Sequence, residues 1–403
     1  MNGDREVAFR HHILFDYVAS RTVVDLDDGK QINELLKRSG ASLLLAQALS
    51  FALQNLWEIS GPGRDRFWQA TVSLASDPAA DPIARSVAAR VSCELPSEAE
   101  DTAGFVRLMG QPIKSERALG AFRHVVGALS VRLEDESRVP LAPWCSIAEL
   151  AVPFVTEIAW PLRTLIHNLI DRVTAPDLRQ QIGVAARAVM NYAFDAQGGE
   201  TLMPLAIAFV AKTFGTNLTA SRRLVERLLE PTRMNEHAAN DMHWLANDVG
   251  DIAAHDPDLV VQIYDRVFAH RIDEDAPTNL GNSKILALTS NRRQDFKMSQ
   301  WALKESFPAF AKKYPVAAAE VAVKVSRGHT RNEHKLTNPA ETLTVTVGNQ
   351  VGRITRDYSY IWAAEHRAQY SDDAVQIIDG FVEMLKQASD ADAAAIADQL
   401  IAE

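Results

Sequence analysis

The stretch WALKESFPAFAKKYPVAAAEVAVKV, residues 301 to 325, holds two apolar helical patterns separated by a Tyr-Pro dipeptide. Large apolar residues recur through the first pattern at spacings of seven, four, three and four, which places them on one helix face. They are Phe296, Leu303, Phe307, Phe310 and Tyr314. Proline suits the first position of the next helix, because its missing N–H would have no partner there. The stretch therefore predicts a hairpin of two helices.

The same arrangement recurs along the chain. A tryptophan precedes a proline by roughly 13 to 16 residues in four places, and an apolar helical pattern follows each proline. The pairs are Trp68 and Pro82, Trp160 and Pro176, Trp244 and Pro257, and Trp301 and Pro315. Asp81 and Asp256 stand where a carboxylate can cap the new helix. An array of such hairpins predicts an all-α fold, an α-solenoid of the HEAT or armadillo kind. The alternative is an irregular helical domain with coincidental Trp and Pro placement.

One region departs from the helical pattern. The segment ETLTVTVGNQVGRITRDYSYIW, residues 341 to 362, is rich in Thr, Val, Tyr and Ile and has Gly-Asn where a tight turn would lie. It predicts a small β-hairpin near residues 341 to 356. Two further helices, roughly residues 372 to 388 and 390 to 402, follow it. We therefore expect a helical-repeat array over 1 to 272, and a C-terminal helical region over 273 to 403 with a polar loop, the hairpin and two terminal helices.

Composition excludes several classes of protein. The chain has 403 residues, 47% of them hydrophobic, and a formal net charge of -10, which argues against a protein that mainly grips nucleic-acid phosphate. Cys93 and Cys145 are too few for a disulfide framework or a thiolate metal site, so a reducing cytoplasm is expected. The apolar run from Ala41 to Leu53 is short and is broken by Gln47, which predicts a buried helix and no membrane span.

Motifs that carry catalysis are missing from the sequence. It has neither a GxxxxGK[ST] phosphate loop nor a GxSxG nucleophile elbow. In NEHAANDMHW, residues 235 to 244, His237 and Asp241 share a helix face but His243 points elsewhere, which makes a poor metal site. His255 precedes Asp256, whose position before a proline favours a cap over a metal ligand. The sequence predicts no catalytic residue, no metal and no cofactor.

Five residues are the candidates for an interaction site: Arg292, Arg293, Asp295, Tyr358 and Trp362. The two arginines open a helix that Asn291 is expected to cap, with Gln294 reaching back towards the cap. Positive charge is unfavourable at a helix N-terminus, whereas Asp295 in the first turn is favourable. The arginines therefore need a partner. One alternative is ion pairing with Asp273, Glu274 and Asp275 in the preceding loop, and the other is an external anion.

Three stretches together resemble a known family. FRHHILFDYVASR, residues 9 to 21, is similar to the segment that follows the nucleotide-binding module of large bacterial STAND ATPases of the NACHT-like type. LTSNRRQDFKMSQWAL, residues 288 to 303, with the FPAFAKKYPVAAAEVAV that follows resembles their helical-repeat region. ITRDYSYIW, residues 354 to 362, resembles a hairpin-and-helix element further along.

That resemblance implies a helical sensor or scaffold part without the ATPase core. No nucleotide-binding residue is carried over, because no position matches a Walker motif. Proteins of this type serve in recognition and switching, including antiviral defence. The implied partner is another protein, or the missing ATPase part of a split protein.

The leading hypothesis is thus a non-catalytic scaffold that binds a protein partner. A second is an all-helical, metal-dependent hydrolase that uses His237, His243 or His255. A third is a nucleic-acid-binding helical-repeat protein that uses Arg292, Arg293 and neighbouring lysines. The net negative charge of the chain argues against this third hypothesis.

Overall fold

The computed structural model describes residues 11–24, 26, 41–59, 61–135, 139–272, 277–278, 290–334, 342–347, 350–355 and 372–402. These residues are almost entirely α-helical and have a repeat-like arrangement, as the sequence predicts. Close packing divides the chain into two compact units, Met1–Leu202 and Met203–Glu403.

The first unit consists of helices that pack on their neighbours in the chain. They are α1 (His12–Thr22), α2 (Ala41–Glu58), α3 (Pro62–Ser76), α4 (Pro82–Glu94), α5 (Ala103–Met109), α6 (Ser115–Asp135), α7 (Ala142–Leu150), α8 (Val155–Ile170) and α9 (Pro176–Asp195). Short 3-10 turns lie at Ala99–Thr102, Val152–Phe154 and Gly199–Thr201. The core includes an aromatic cluster in which the Trp68 and Phe105 rings stack 5.1 Å apart.

The second unit has the same helical character. Its helices are α10 (Met203–Lys212), α11 (Leu218–Leu228), α12 (Pro231–Asn247), α13 (Val249–Ala253), α14 (Pro257–Ala269), α15 (Arg292–Lys313), α16 (Pro315–His334), α17 (Asp373–Leu385) and α18 (Asp390–Ala402). A 3-10 turn lies at Phe214–Thr216. The last two helices lie where the sequence predicts the terminal pair.

Two pairs of short strands accompany the helices of the second unit. Strand β1 (Pro277–Thr278) pairs antiparallel with β2 (Ser290–Asn291). Strand β3 (Thr342–Val347) pairs antiparallel with β4 (Gln350–Thr355), with Val345 opposite Gly352. The second pair lies within residues 341 to 356, the range for which the sequence predicts a hairpin.

Four helices begin at the prolines that the sequence predicts as their first residues. Pro82, Pro176, Pro257 and Pro315 are each the first residue of a helix. Asp81 caps α4 by accepting a hydrogen bond from the N–H of Ile83 at 2.8 Å. Asp256 caps α14 through the N–H of Leu259 at 3.0 Å. These observations confirm the four predicted helix starts and the two predicted caps. The sequence can predict them because each depends on local backbone chemistry.

A repeated contact relates three helices of the first unit. The Arg132 guanidinium of α6 donates to the Cys93 carbonyl at the end of α4. In the next step along the chain, Arg172 donates to the Leu133 carbonyl of α6 at 2.8 Å. The two donors are 40 positions apart in the chain, and so are the two acceptors. Since the C-terminal ends of these helices meet, α4, α6 and α8 run in the same direction.

Adding 40 to the number of a buried residue of α6 gives a buried residue at or just after α8. Seven core residues of α6 correspond to buried residues at or just after α8. The α6 set is Ala118, Ala121, Phe122, Val125, Val126, Leu129 and Leu133, and the α8 set is Ile158, Pro161, Leu162, Leu165, Ile166, Leu169 and Val173. Two helices in one register present equivalent faces to their neighbours, as units of a helical repeat do.

The second unit includes residues from both sides of the boundary expected at residues 272 and 273. Helix α12 packs on α15, and α14 packs on α16. The Tyr264 hydroxyl of α14 donates to the Leu303 carbonyl of α15 at 2.7 Å. Packing groups α10 to α14 with the helices that follow, and the two compact units meet between Leu202 and Met203.

No single helix in the described part of the chain is long and apolar enough to cross a membrane. The helices Ala142–Leu150 and Val152–Ile170 reach the required length and composition only as a pair, and this pair is bent by 51°.

Candidate functional site

The start of α15 brings together three of the five candidate residues. Asn291 caps this helix by accepting a hydrogen bond from the N–H of Gln294 at 2.8 Å, as predicted. Asp295 lies in the first turn, where its charge favours the helix. The two arginines therefore begin a helix whose first turn is already stabilised by other residues.

Arg292 is held by backbone carbonyls of a neighbouring helix. Its guanidinium donates to the carbonyls of Asn235 at 2.8 Å and Glu236 at 3.0 Å, both in α12. These contacts join the second turn of α12 to the first turn of α15. Because the two helices also pack on each other, they run side by side in the same direction. The positive charge of Arg292 thus has an internal role that tethers two helices.

Arg293 has different surroundings. It is exposed and lines a small pocket of about 40 Å³, and within the described ranges it forms no ion pair. The pocket, termed here the α15 pocket, is also lined by Phe268, His270, Arg271, Ile272, Phe296, Lys297, Gln300, His329 and Asp372. Two adjacent arginines in the sequence therefore have separate environments in the fold.

The α15 pocket has a positive lining. Among the described residues that line it, Arg271, Arg293 and Lys297 contribute cations and Asp372 contributes the one carboxylate. Asp372 caps α17 through the N–H of Ala374 at 3.1 Å, and its Oδ1 lies 3.7 Å from Nδ1 of the buried His329. A cavity needs about 10 to 15 Å³ to hold a water molecule, so this pocket has room for a small anion.

His270 lies in the same pocket, next to Phe296, with ring centroids 5.3 Å apart. Burial, and then the nearby Arg292 charge, lower the pKa of His270 below its ordinary value. A neutral imidazole adds no positive charge at neutral pH. The attraction for an anion in this pocket therefore comes from the arginines and the lysine.

Two candidates, Tyr358 and Trp362, lie outside the described residues. The same holds for Asp273, Glu274 and Asp275, the carboxylates considered as internal partners of the arginines.

The histidines and carboxylates considered for metal binding have other surroundings. Asp241 is fully buried in α12 and forms an ion pair with Arg233 at 2.7 Å, while the Asn240 amide donates to it at 2.9 Å. Nε2 of His243 lies 3.2 Å from the side-chain nitrogen of Asn247. Among the described residues, no group of three or more His, Cys, Asp or Glu side chains is placed to hold a metal ion.

Burial dominates the chemistry of both Cys93 and Asp241. It raises the pKa of the Cys93 thiol to about 12, so the nucleophilic thiolate is scarce at neutral pH. It also raises the pKa of Asp241, against the opposing effect of the Arg233 charge. Cys145 is buried too, with a pKa raised to about 12 by desolvation.

A larger surface feature lies in the first unit, where sequence reasoning did not find it. The groove between α4 and α6, termed here the α4–α6 groove, has a volume of about 560 Å³. It is lined by Pro82, Arg85, Ser86, Ala89, Arg90, Arg123, His124, Gly127, Ala128 and Val131. Its residues recur every three to four positions on each helix, a signal present in the sequence. The groove forms only because α4 and α6, whose lining residues are about 40 positions apart in the chain, pack side by side.

The comparisons with known proteins leave the family open. No protein-family model matches the chain, and no curated protein matches it. A crystal structure of an engineered protein aligns over 97% of this chain and 92% of its own, with 13% sequence identity and a TM-score of 0.33. Similarity at that level carries no functional information.

Proposed function

We propose that this chain is a non-catalytic helical-repeat scaffold that binds a protein partner. The observation that supports the proposal best is the shared register of α6 and α8, with its repeated arginine-to-carbonyl contact. Helices stacked in one register bury one face against their neighbours and leave long surfaces for binding. The proposal includes an α-solenoid arrangement of the helical hairpins, with β3 and β4 forming a small β-hairpin beside it.

Exposed tryptophans support a protein partner. Trp244 of α12 is 37% exposed and Trp301 of α15 is 45% exposed. Each lies nine residues beyond the Arg292 contact that joins the two helices, so the tryptophans occupy the same level of a parallel pair. Large exposed aromatic side chains are enriched at the energetic centres of protein interfaces.

The resemblance to the helical part of STAND ATPases is consistent with this role. Under the proposal, the chain corresponds to a sensor or scaffold region, and its partner is another protein or an ATPase part.

Affinity capture tests the proposal. The chain is immobilised and exposed to lysate from its native source at micromolar concentration, beside the double variant Trp244→Ala/Trp301→Ala as a matched control. We expect at least one protein to be enriched on the wild-type chain and to be depleted on the variant. Retention of no protein by the folded wild-type chain would refute the proposal.

A further inference from the structure

We propose that the α4–α6 groove binds an acidic amphipathic helix of a partner protein. This inference rests on the proposed scaffold function and names the chemistry of the partner. It follows from three features of the groove: a floor of small apolar residues, two flanking arginines that form no ion pair within the described part of the chain, and the geometry of two parallel helices.

The floor is apolar and shallow. Ala89 of α4 and Gly127, Ala128 and Val131 of α6 form it. Val131 is 60% exposed, although it is a large apolar residue on a helix. A Cβ atom added at Gly127 would meet no atom within 4 Å, so the space above this glycine is open. Small residues allow another helix backbone to approach closely, and the exposed Val131 gains most if that helix covers it.

The flanks carry positive charge. Arg85 and Arg123 stand on opposite helices, and in the part of the chain that the structure describes neither forms an ion pair. Arg90 pairs with Glu94 one turn along its own helix, at 2.8 Å. No carboxylate is among the groove's lining residues within that same part. Arg85, Arg123 and His124 all line this groove, and burial followed by the charges of the two arginines lowers the pKa of His124.

The groove's length fits a helix. Its lining runs from Pro82 to Arg90 on α4 and from Arg123 to Val131 on α6, which is about 12 Å along each helix at 1.5 Å per residue. An occupant helix would place two or three apolar side chains, at i, i+3 or i+4 and i+7, on the floor. Its acidic residues, flanking that apolar stripe, would reach the two arginines.

The same features favour a peptide over nucleic acid. Nucleic-acid binding depends on cations that follow a phosphate backbone, and it gains little from an apolar floor. A short acidic helix matches both the cations and the floor.

A designed probe tests the inference. It is a fluorescein-labelled helical peptide of about 18 residues, with Leu on one face and Glu on both flanks, titrated by anisotropy against the full chain. The basic control peptide has Lys in place of every Glu. We expect micromolar binding of the acidic peptide, weakening as salt rises, and at least tenfold weaker binding of the basic one.

Three variants locate the binding. Gly127→Trp fills the groove, whereas Gly250→Trp places the same side chain at another helical glycine with open space around it. Arg85→Glu/Arg123→Glu reverses the flanking charge. We expect Gly127→Trp to weaken binding of the acidic peptide at least tenfold and Gly250→Trp to leave it unchanged. The charge-reversed variant should lose the acidic peptide and gain the basic one, an exchange that a folding defect cannot produce.

Several outcomes would overturn the inference. They are undetectable binding of the acidic peptide at 1 mM, equal binding by Gly127→Trp, or tighter binding of a 20-nucleotide RNA or DNA than of the peptide. A protein captured from lysate equally well by wild type and Gly127→Trp would leave the scaffold proposal standing and refute this groove as its docking surface.

Discussion

The two adjacent arginines at the start of α15 show how strongly the environment of a single residue depends on the fold. Arg292 and Arg293 differ by one position, which is a 100° rotation on a helix. Arg292 therefore faces α12 and donates to two of its carbonyls, while Arg293 faces the α15 pocket. The sequence raises one question about a partner for both arginines, whereas the structure gives Arg292 two carbonyl partners and places Arg293 in the lining of a pocket.

These environments predict different effects on stability. Arg292→Gln removes two hydrogen bonds between α12 and α15 and should lower the free energy of unfolding by about 1 kcal/mol. Arg293→Gln, the matched control, should change it by less than about 0.5 kcal/mol, since surface substitutions usually do. Urea denaturation of both variants measures the difference. Equal destabilisation would mean that Arg293 also has an internal partner.

Asp248, between α12 and α13, predicts a pH dependence. Burial, and then the nearby Asp251, raise its pKa to about 6, against the opposing charge of Lys212. A carboxyl whose pKa is raised by folding stabilises the protein fully below its unfolded pKa, near 4, and this contribution is lost as pH rises through about 6. Above that pH, the charged side chain is the less favourable form in the folded state.

Asp248→Asn should therefore stabilise the protein at pH 7.5 and not at pH 4. We expect about 1 to 2 kcal/mol, less than the pKa alone implies, because the side chain keeps some contact with water. Thermal unfolding of wild type and variant between pH 4 and pH 8 measures the effect, with the exposed Asp135→Asn as control. A constant difference across that range would contradict the prediction.

At the scale of the helices, glycines in similar sequence contexts differ in what surrounds them. Gly127 of α6 faces open space, whereas a Cβ atom at Gly328 of α16 would lie 2.7 Å from the Phe268 carbonyl oxygen of α14. Gly328 thus allows the backbones of α14 and α16 to approach closely. No other helix of this chain approaches Gly127 in that way within the described residues.

The pair of glycines gives opposite predictions. Gly127→Ala should stabilise the protein by about 0.5 to 1 kcal/mol, because alanine is the better helix former. Gly328→Ala should destabilise it by about 1 to 3 kcal/mol, because the added methyl group forces α14 and α16 apart. Chemical denaturation of the two variants is the measurement. Stabilisation of both would show that α14 and α16 do not pack this closely.

The sequence predicts those features of the helices that depend on near neighbours. Pro82 and Pro257 begin helices, Asp81 and Asp256 cap them, and Asn291 caps α15, all through bonds that span two or three residues. Apolar spacing likewise predicts the buried face of α15.

Features that depend on pairing between distant helices are not predictable in this way. Trp68 is fully buried whereas Trp301 is half exposed, although both precede a proline at similar spacing. The register of α6 and α8, and the meeting of Arg85 with Arg123 at one groove, follow from which helices pack together. That choice depends on side-chain volumes across the interface, which spacing along a single helix does not encode.

At the scale of the whole molecule, a repeat architecture has a consequence for how stability is distributed. In a solenoid each repeat contacts only its neighbours, so stability is close to a sum of local and nearest-neighbour terms. In this chain close packing defines two units, Met1–Leu202 and Met203–Glu403. Loss of one core side chain should then affect its own unit and leave the other largely protected.

Matched core truncations test this locality. Leu165 of α8 and Leu245 of α12 are both fully buried, one in each unit. Leu165→Ala and Leu245→Ala should each cost about 2 to 5 kcal/mol of local stability. In hydrogen exchange, we expect protection to fall within Met1–Leu202 for the first variant and within Met203–Glu403 for the second. The exposed Leu43→Ala is the control and should leave exchange unchanged. An equal loss of protection along the entire chain, from either core variant, would instead require one cooperative core, and the helical-repeat interpretation would then have to be abandoned.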